Sequence, residues 1–169
     1  MELTAGRVQS GAVSGPDPVG PAASSRFCLF TLGEQSFAVN LTQVSEVFRL
    51  ESITSVPGMP SSLAGVANLR GTVVPLADLR PLLGMPRSLD PKYAVIVRHG
   101  TRLIGILIDE VPEIHTVHPN DVEDGLSDQA SPTHPFLSGL VRIENRMCGF
   151  VEVSRLLAVV EETIDQQAA

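Results

Sequence analysis

His115 and His118 stand three positions apart, with Asp109, Glu110 and Glu113 just ahead of them. Imidazoles and carboxylates at close spacing are the donors that hold zinc and related metals. On a strand, however, an i, i+3 pair falls on opposite faces, so the two rings do not converge. Both are read as solvated loop residues. Asp121, Glu123 and Asp124 have the composition of a calcium loop without its spacing, and read as a solvated acidic run. Cys28 and Cys148 sit in alternating apolar segments with no CxxC spacing. Small buried hydrophobes in a reducing compartment are expected there, in preference to a disulfide, a zinc site or a nucleophile. The sequence has no GxSxG elbow, no Walker loop and no GxGxxG after a strand. Neither catalytic residues, nor a metal, nor a cofactor is expected, and the chain reads as a non-enzyme.

Glu46 and Arg70 are the remaining polar residues of interest. Arg70 interrupts "NLRGTVVPLADL" (68–79), in a chain that is only 18% charged. One reading makes it a hairpin-tip residue chosen for solubility. The other makes it an interface residue, because its planar fork meets carboxylates bidentately and arginine is enriched among interface hot spots. Glu46 is open in the same way, between an exposed strand-end carboxylate and a partner contact. Val44 either lines a partner groove beside Glu46 or sits inside a barrel.

Composition narrows the partners. With 169 residues and 43% hydrophobic content, the chain is a globular domain with a sizeable core. The formal charge is −7, Lys92 is the single lysine, and there is no tryptophan. Nucleic acid and anionic membrane surfaces are therefore not expected partners. The densest apolar runs, "YAVIV" and "LIGILI", are strand-sized and too short to cross a membrane. The opening lacks the apolar core of a signal peptide, so a cytoplasmic location is expected.

Residues 1–25 hold four Gly, three Pro and four Ser without apolar periodicity, and read as a disordered leader. Order should begin at "RFCLFTL" (26–32), turn at "GEQ", and continue in "SFAVNL". Further strands are predicted near 46–50, 52–56, 66–70 and 72–76. Hairpins follow in "KYAVIVRHGTRLIGILID", turning at His99-Gly100, and in "SGLVRIENRMCGFVEV". "ADLRPLLG" predicts one or two helical turns, with Asp78 as N-cap and Gly84 as the stop. "VSRLLAVVEETI" places Val153, Leu156, Leu157, Val160 and Ile164 on one face of a C-terminal helix.

The chain also repeats itself. Residues 139–158 lie ungapped over 65–84 at an offset of 74, with Gly65 over Gly139 and Asp78 over Glu152. Arg70-Gly71 falls on Glu144-Asn145. Residues 104–115 lie over 37–48 at an offset of 67, with Val44 over Val111, Glu46 over Glu113 and Val47 over Ile114. The expected architecture is two similar small β modules, with cores near 37–84 and 104–158. Modules of that size are marginal alone and should share a core.

With these residues in place, the chain resembles the CheW-like domain of bacterial chemotaxis over about residues 26–160. The resemblance is carried by "ITSVPGMPSSLAGVANLRGTVVPLADLRPLLG" (53–84), "FAVNLTQVSEVF" (37–48) and "IGILIDEVPEI" (104–114). It departs from the family in the long loop 117–135 and in "RMCGFVEV". The resemblance implies a mainly β fold: two five-stranded SH3-like barrels packed together, a short helix after the first hairpin repeat and a C-terminal helix. It implies an adaptor joining the regulatory domain of a CheA-type histidine kinase to the cytoplasmic hairpin tip of chemoreceptors. It places Glu46 and Arg70 at the partner-binding surface; Asn68, in the same turn, and Val44 are counted with them as candidate partner-binding residues. Two other roles stay open: coupling in a non-flagellar pathway controlling pili or second-messenger synthesis, and a small ligand-binding or hydrolytic β-barrel.

A chain beginning at Arg26 is expected to unfold at nearly the denaturant midpoint of the full chain, because the leader has too few apolar residues to hold a core together. A large fall in midpoint would mean that the leader packs on a barrel.

Overall fold

The computed structural model describes residues 24–60, 62–87, 90–123 and 135–168, excepting the side chains of 162–168. The leader up to residue 23, and residues 124–134 of the long loop with Asp124, lie outside the described residues, as does the Ile164 side chain.

Strands β1 (Ser25–Leu32), β2 (Gln35–Asn40), β3 (Val44–Arg49), β4 (Leu63–Leu69) and β5 (Thr72–Ala77) make up the first half. The second half holds β6 (Tyr93–His99), β7 (Arg102–Ile108), β8 (Glu113–Val117), the two-residue β9 (Val122–Glu123), β10 (Leu137–Ile143) and β11 (Arg146–Val151). Helix α1 (Val153–Ala168) closes the chain. The strands form two sheets, ordered β3-β6-β7-β5-β4 and β9-β10-β11-β2-β1-β8. The fold is mainly β, two SH3-like barrels with a C-terminal helix, as the resemblance implies.

The repeat is visible in the register. Leu63 faces Ala77 and Gly65 faces Leu76, with a bulge between; 74 residues on, Leu137 faces Val151 and Gly139 faces Phe150, with the same bulge. Gly65, at φ 153°, leaves room for the passing chain: a Cβ there would stand 2.3 Å from the Thr54 carbonyl oxygen. The barrels, however, are not the repeats. One sheet takes β3, β4 and β5 from the first half with β6 and β7 from the second; the other takes β8, β10 and β11 with β1 and β2. Each barrel is joined across the halves by a short parallel contact, Leu76 with Gly105 and Ala77 with Ile106 in one, Gly149 with Phe37 and Phe150 with Ala38 in the other. Gly105 permits the first, since a Cβ would meet Leu76 at 2.7 Å.

This exchange explains the uniformly apolar runs. Successive side chains of a strand point to opposite faces, and β1, β6 and β7 are buried on both. In β6, Ala94 and Ile96 fill one barrel while Val95 and Val97 enter a core shared between the sheets. In β1, Phe27 and Leu29 fill the other barrel while Cys28, Phe30 and Leu32 enter the shared core. Val153, Leu156, Leu157 and Val160 of α1 cap that core.

Several local expectations are corrected. Residues 52–56 are not a strand; only Thr54 bridges, to Val66, because Pro57 and Gly58 turn the chain away. The β6–β7 hairpin turns at Gly100-Thr101, with Gly100 at φ 65°, so His99 is still paired, with Arg102. "ADLRPLLG" yields a single 3-10 turn, Pro81–Leu83, ended by Gly84 at φ 75°. Asp78 precedes it, buried, accepting from the Arg80 backbone N–H at 3.1 Å without being the N-cap. Ser25 already pairs with Val117, one residue ahead of the expected start.

Cutting the chain between Pro86 and Asp90 strips each barrel of strands supplied by the other half. Neither purified fragment should give a dispersed NMR spectrum alone, and mixing them should restore one. Two well-dispersed spectra from the separate halves would contradict the exchange.

Candidate protein-binding site

Arg70 and Gly71 form the turn between β4 and β5 at φ 50° and 89°. Positive φ at both central positions is the type I′ geometry, whose twist matches a two-stranded hairpin. Glu144 and Asn145 repeat it at φ 50° and 64°. A non-glycine residue there costs about 1 kcal/mol. Asn68 offsets part of this, its Oδ1 accepting the Gly71 N–H at 2.8 Å. Arg70 keeps its side chain 76% exposed, yet bends back so that Nη2 donates to both carboxylate oxygens of Glu46, at 2.7 and 2.9 Å.

Glu46 lies within β3, not at its end, beside a register shift between Val44 and Glu46. Strands β3 and β4 are the two edges of their sheet, so the ion pair bridges the seam where that sheet curls into a barrel. The structure thus brings Glu46, Asn68 and Arg70 together, with Glu46 and Arg70 as each other's partner. Val73 adds an apolar surface beside the tip, 62% exposed.

Val44 is half-buried and lines something else: an apolar groove of about 410 Å³, floored by Cys28 and Leu41. Its walls are Val44, Ser45, Glu46 and Val47 on one side and Val111, Pro112 and Ile114 on the other. Val44 with Val111 and Val47 with Ile114 are the pairs that the 67-residue offset aligns, so the two repeats meet across the groove. Val47, Val111 and Ile114 are 42%, 63% and 58% exposed. In the sequence only the repeat alignment signals them. Burial pushes the Cys28 thiol up to about 11, so it stays protonated at neutral pH, a hydrophobe and a poor nucleophile.

The second hairpin tip carries different chemistry. His115 lies in β8, largely buried rather than in a loop, with Nε2 2.8 Å from Glu113 Oε1 and Nδ1 3.6 Å from Glu144 Oε1. His118 follows the strand, its Nδ1 3.3 Å from Ser24 Oγ, so the two histidines do not converge. Arg146 approaches Glu113 at 3.8 Å. The hydrogen bond from His115, with the His115 and Arg146 charges behind it, holds the Glu113 carboxyl below the usual glutamate range.

Among the described residues, no helix is long and apolar enough to cross a membrane. Among the described residues the double barrel thus presents an exposed ion-paired hairpin tip and an open apolar groove. The family model described as the CheW-like domain matches residues 26–161. The chain is 28% identical to the chemotaxis protein CheW of Klebsiella aerogenes over 152 residues, 89% of this chain and 92% of that one. It is 34% identical to CheW of Rhizobium meliloti over 127 residues, 73% of this chain and 81% of that one. The crystal structure of the scaffolding protein TtCheW from Thermoanaerobacter tengcongensis superposes with a TM-score of 0.67 at 25% identity, covering 76% of this chain and 84% of that one. The chain belongs to the CheW-like family.

A depressed carboxyl pKa stabilises the fold above the usual glutamate range, and that contribution is lost as pH falls through the lowered value. Followed by NMR, Glu113 should therefore titrate below an ordinary glutamate, and His115→Gln should move its midpoint back up. An unchanged midpoint in His115→Gln would mean that the imidazole does not hold the carboxylate.

Proposed function

We propose that this chain is a non-enzymatic adaptor of the cytoplasm that couples chemoreceptors to a CheA-type histidine kinase. The observation that carries the proposal is that two unlike surfaces lie side by side on one frame and meet at Glu46, which lines the groove and accepts from Arg70. The groove is apolar and open, the character of a seat for one face of an amphipathic helix, so it is assigned to the helical hairpin tip of a chemoreceptor. The β4–β5 tip, with Arg70, Glu46 and Val73, is assigned to the regulatory domain of the kinase. A tip that holds an arginine in a costly backbone conformation, with Asn68 bracing it, has the character of a functional position. Asn68 then acts by fixing the tip, and Val44 by lining the groove.

The assignment of Arg70 makes a paired expectation. The Arg70–Glu46 pair is solvent-exposed, so Arg70→Glu should lower stability by no more than about 1 kcal/mol. At a hot spot the same change should weaken binding to the kinase regulatory domain by about 2 kcal/mol, roughly thirtyfold. Glu46→Lys should follow the same pattern more weakly. A thermal melt and a titration with the regulatory domain read the two effects separately. Undiminished binding by a normally folded Arg70→Glu protein would remove the tip from the interface; a much earlier melt would make Arg70 structural.

A further inference from the structure

The two walls of the groove are built differently. Each begins at a crossover, where the chain leaves one sheet for the other. The first runs from β2 into β3 through a 3-10 turn, Leu41–Gln43, held locally by Asn40, whose Oδ1 accepts from the Thr42 N–H at 2.9 Å and its hydroxyl at 2.7 Å. The second runs from β7 into β8 through Asp109–Pro112, a bend without a 3-10 turn. Val111, which it carries, is mostly exposed; Ile114, also exposed, is already placed by β8, opposite Cys28 of β1. Burial therefore does little to fix this wall.

Arg80 supplies what burial does not. Strands β5 and β7 run parallel and adjacent, Leu76 beside Gly105 and Ala77 beside Ile106, so the residues just past their ends lie side by side. Arg80 is only 6% exposed. Its Nη2 donates to Asp109 Oδ2, the first residue of the bend. Its Nη1 is buried without a hydrogen-bond partner. Its backbone is fixed on both sides, by Asp78 before it and by the Pro81–Leu83 turn after it. The other wall has no such arrangement: the offset of 67 puts Asp109 over Thr42, and the offset of 74 puts Arg80 over Ser154.

We infer that Arg80 is a positioning residue for the groove, setting through Asp109 where Val111 stands. A buried guanidinium on a rigid turn is a fixed post, and its planar fork orients a carboxylate in a way that lysine does not. Asp109 is 44% exposed on its side chain, so its replacement perturbs the pair while leaving the core intact. The inference rests on the groove being a partner seat, and the experiment keeps the two apart.

Asp109→Asn and Arg80→Lys are compared with the parent chain by methyl NMR and by titration with a soluble fragment carrying a chemoreceptor hairpin tip. The methyl resonances of Val111 should shift in both variants while those of Val44, Val47 and Ile114 stay in place. Affinity for the fragment should fall about tenfold, the scale at which indirect contacts act, with affinity for the kinase regulatory domain unchanged. Methyl positions identical to the parent's in a folded variant would overturn the inference. So would an equal loss of both partners, which marks a general structural role. If Asp109→Asn does not fold, Asp109→Glu, which keeps the charge and displaces it, is read by the same criteria. If the parent itself does not bind the fragment, the receptor reading of the groove fails, and the methyl shifts still decide whether Arg80 sets the wall.

Discussion

Four pairings between the halves hold this molecule in its form: the antiparallel ladders of β3 with β6 and of β1 with β8, and two short parallel contacts, Leu76 and Ala77 against Gly105 and Ile106, and Gly149 and Phe150 against Phe37 and Ala38. The parallel contacts are only two residue pairs long, and all four pairings join a strand of one half of the chain to a strand of the other. Because of them neither half owns a barrel. The chain must cross from sheet to sheet twice, at 41–43 and at 109–112, and the strands that flank the shared core are buried on both faces. A sheet buried on both sides carries no polar alternation, which is why β6 and β7 are aliphatic almost throughout.

The groove and the hairpin tip, the two surfaces proposed to bind partners, are by-products of the same constraint. The groove lies where the two crossovers enter their new sheets, so its walls are repeat-related and apolar, with Cys28 of β1 beneath them. The tip of the β4–β5 hairpin stands where the curled sheet must close, and the Arg70–Glu46 pair spans that seam. An exposed pair of this kind adds little stability. Its consequence is geometric: a guanidinium and a carboxylate held together present one composite polar feature to a partner. The equivalent seam of the other barrel carries Glu113, His115, Glu144 and Arg146 instead, so the two tips are alike in backbone and unlike in charge.

Much of this was legible in the sequence. The repeat offsets of 74 and 67, the hairpins, the I′ turns at Arg70-Gly71 and Glu144-Asn145, and the amphipathic C-terminal helix all follow from local pattern. What local pattern does not contain is pairing between distant strands. Two repeats aligned in sequence look like two modules, and nothing in the alignment says that β1 and β2 pair outside their own repeat. The helix expected at 78–84 shortens to one 3-10 turn because Asp78 and Arg80 turn inward to polar contacts. Glu46 and Arg70 were each recognisable as candidates, but their pairing spans 24 residues and depends on the barrel closing. Val111 and Ile114 were marked only by the repeat, which aligns them with Val44 and Val47; that they stand exposed at the groove depends on the crossover between sheets.

The central claim is that one small frame carries two partners at once, and simultaneous occupancy tests it most directly. The chain is saturated with the kinase regulatory domain and then titrated with a soluble chemoreceptor hairpin-tip fragment, the mass of the assembly being followed by analytical ultracentrifugation. The account predicts a ternary complex, with the fragment binding the loaded and the free chain about equally. Displacement of the kinase domain as the fragment binds would place both partners on one surface and contradict it.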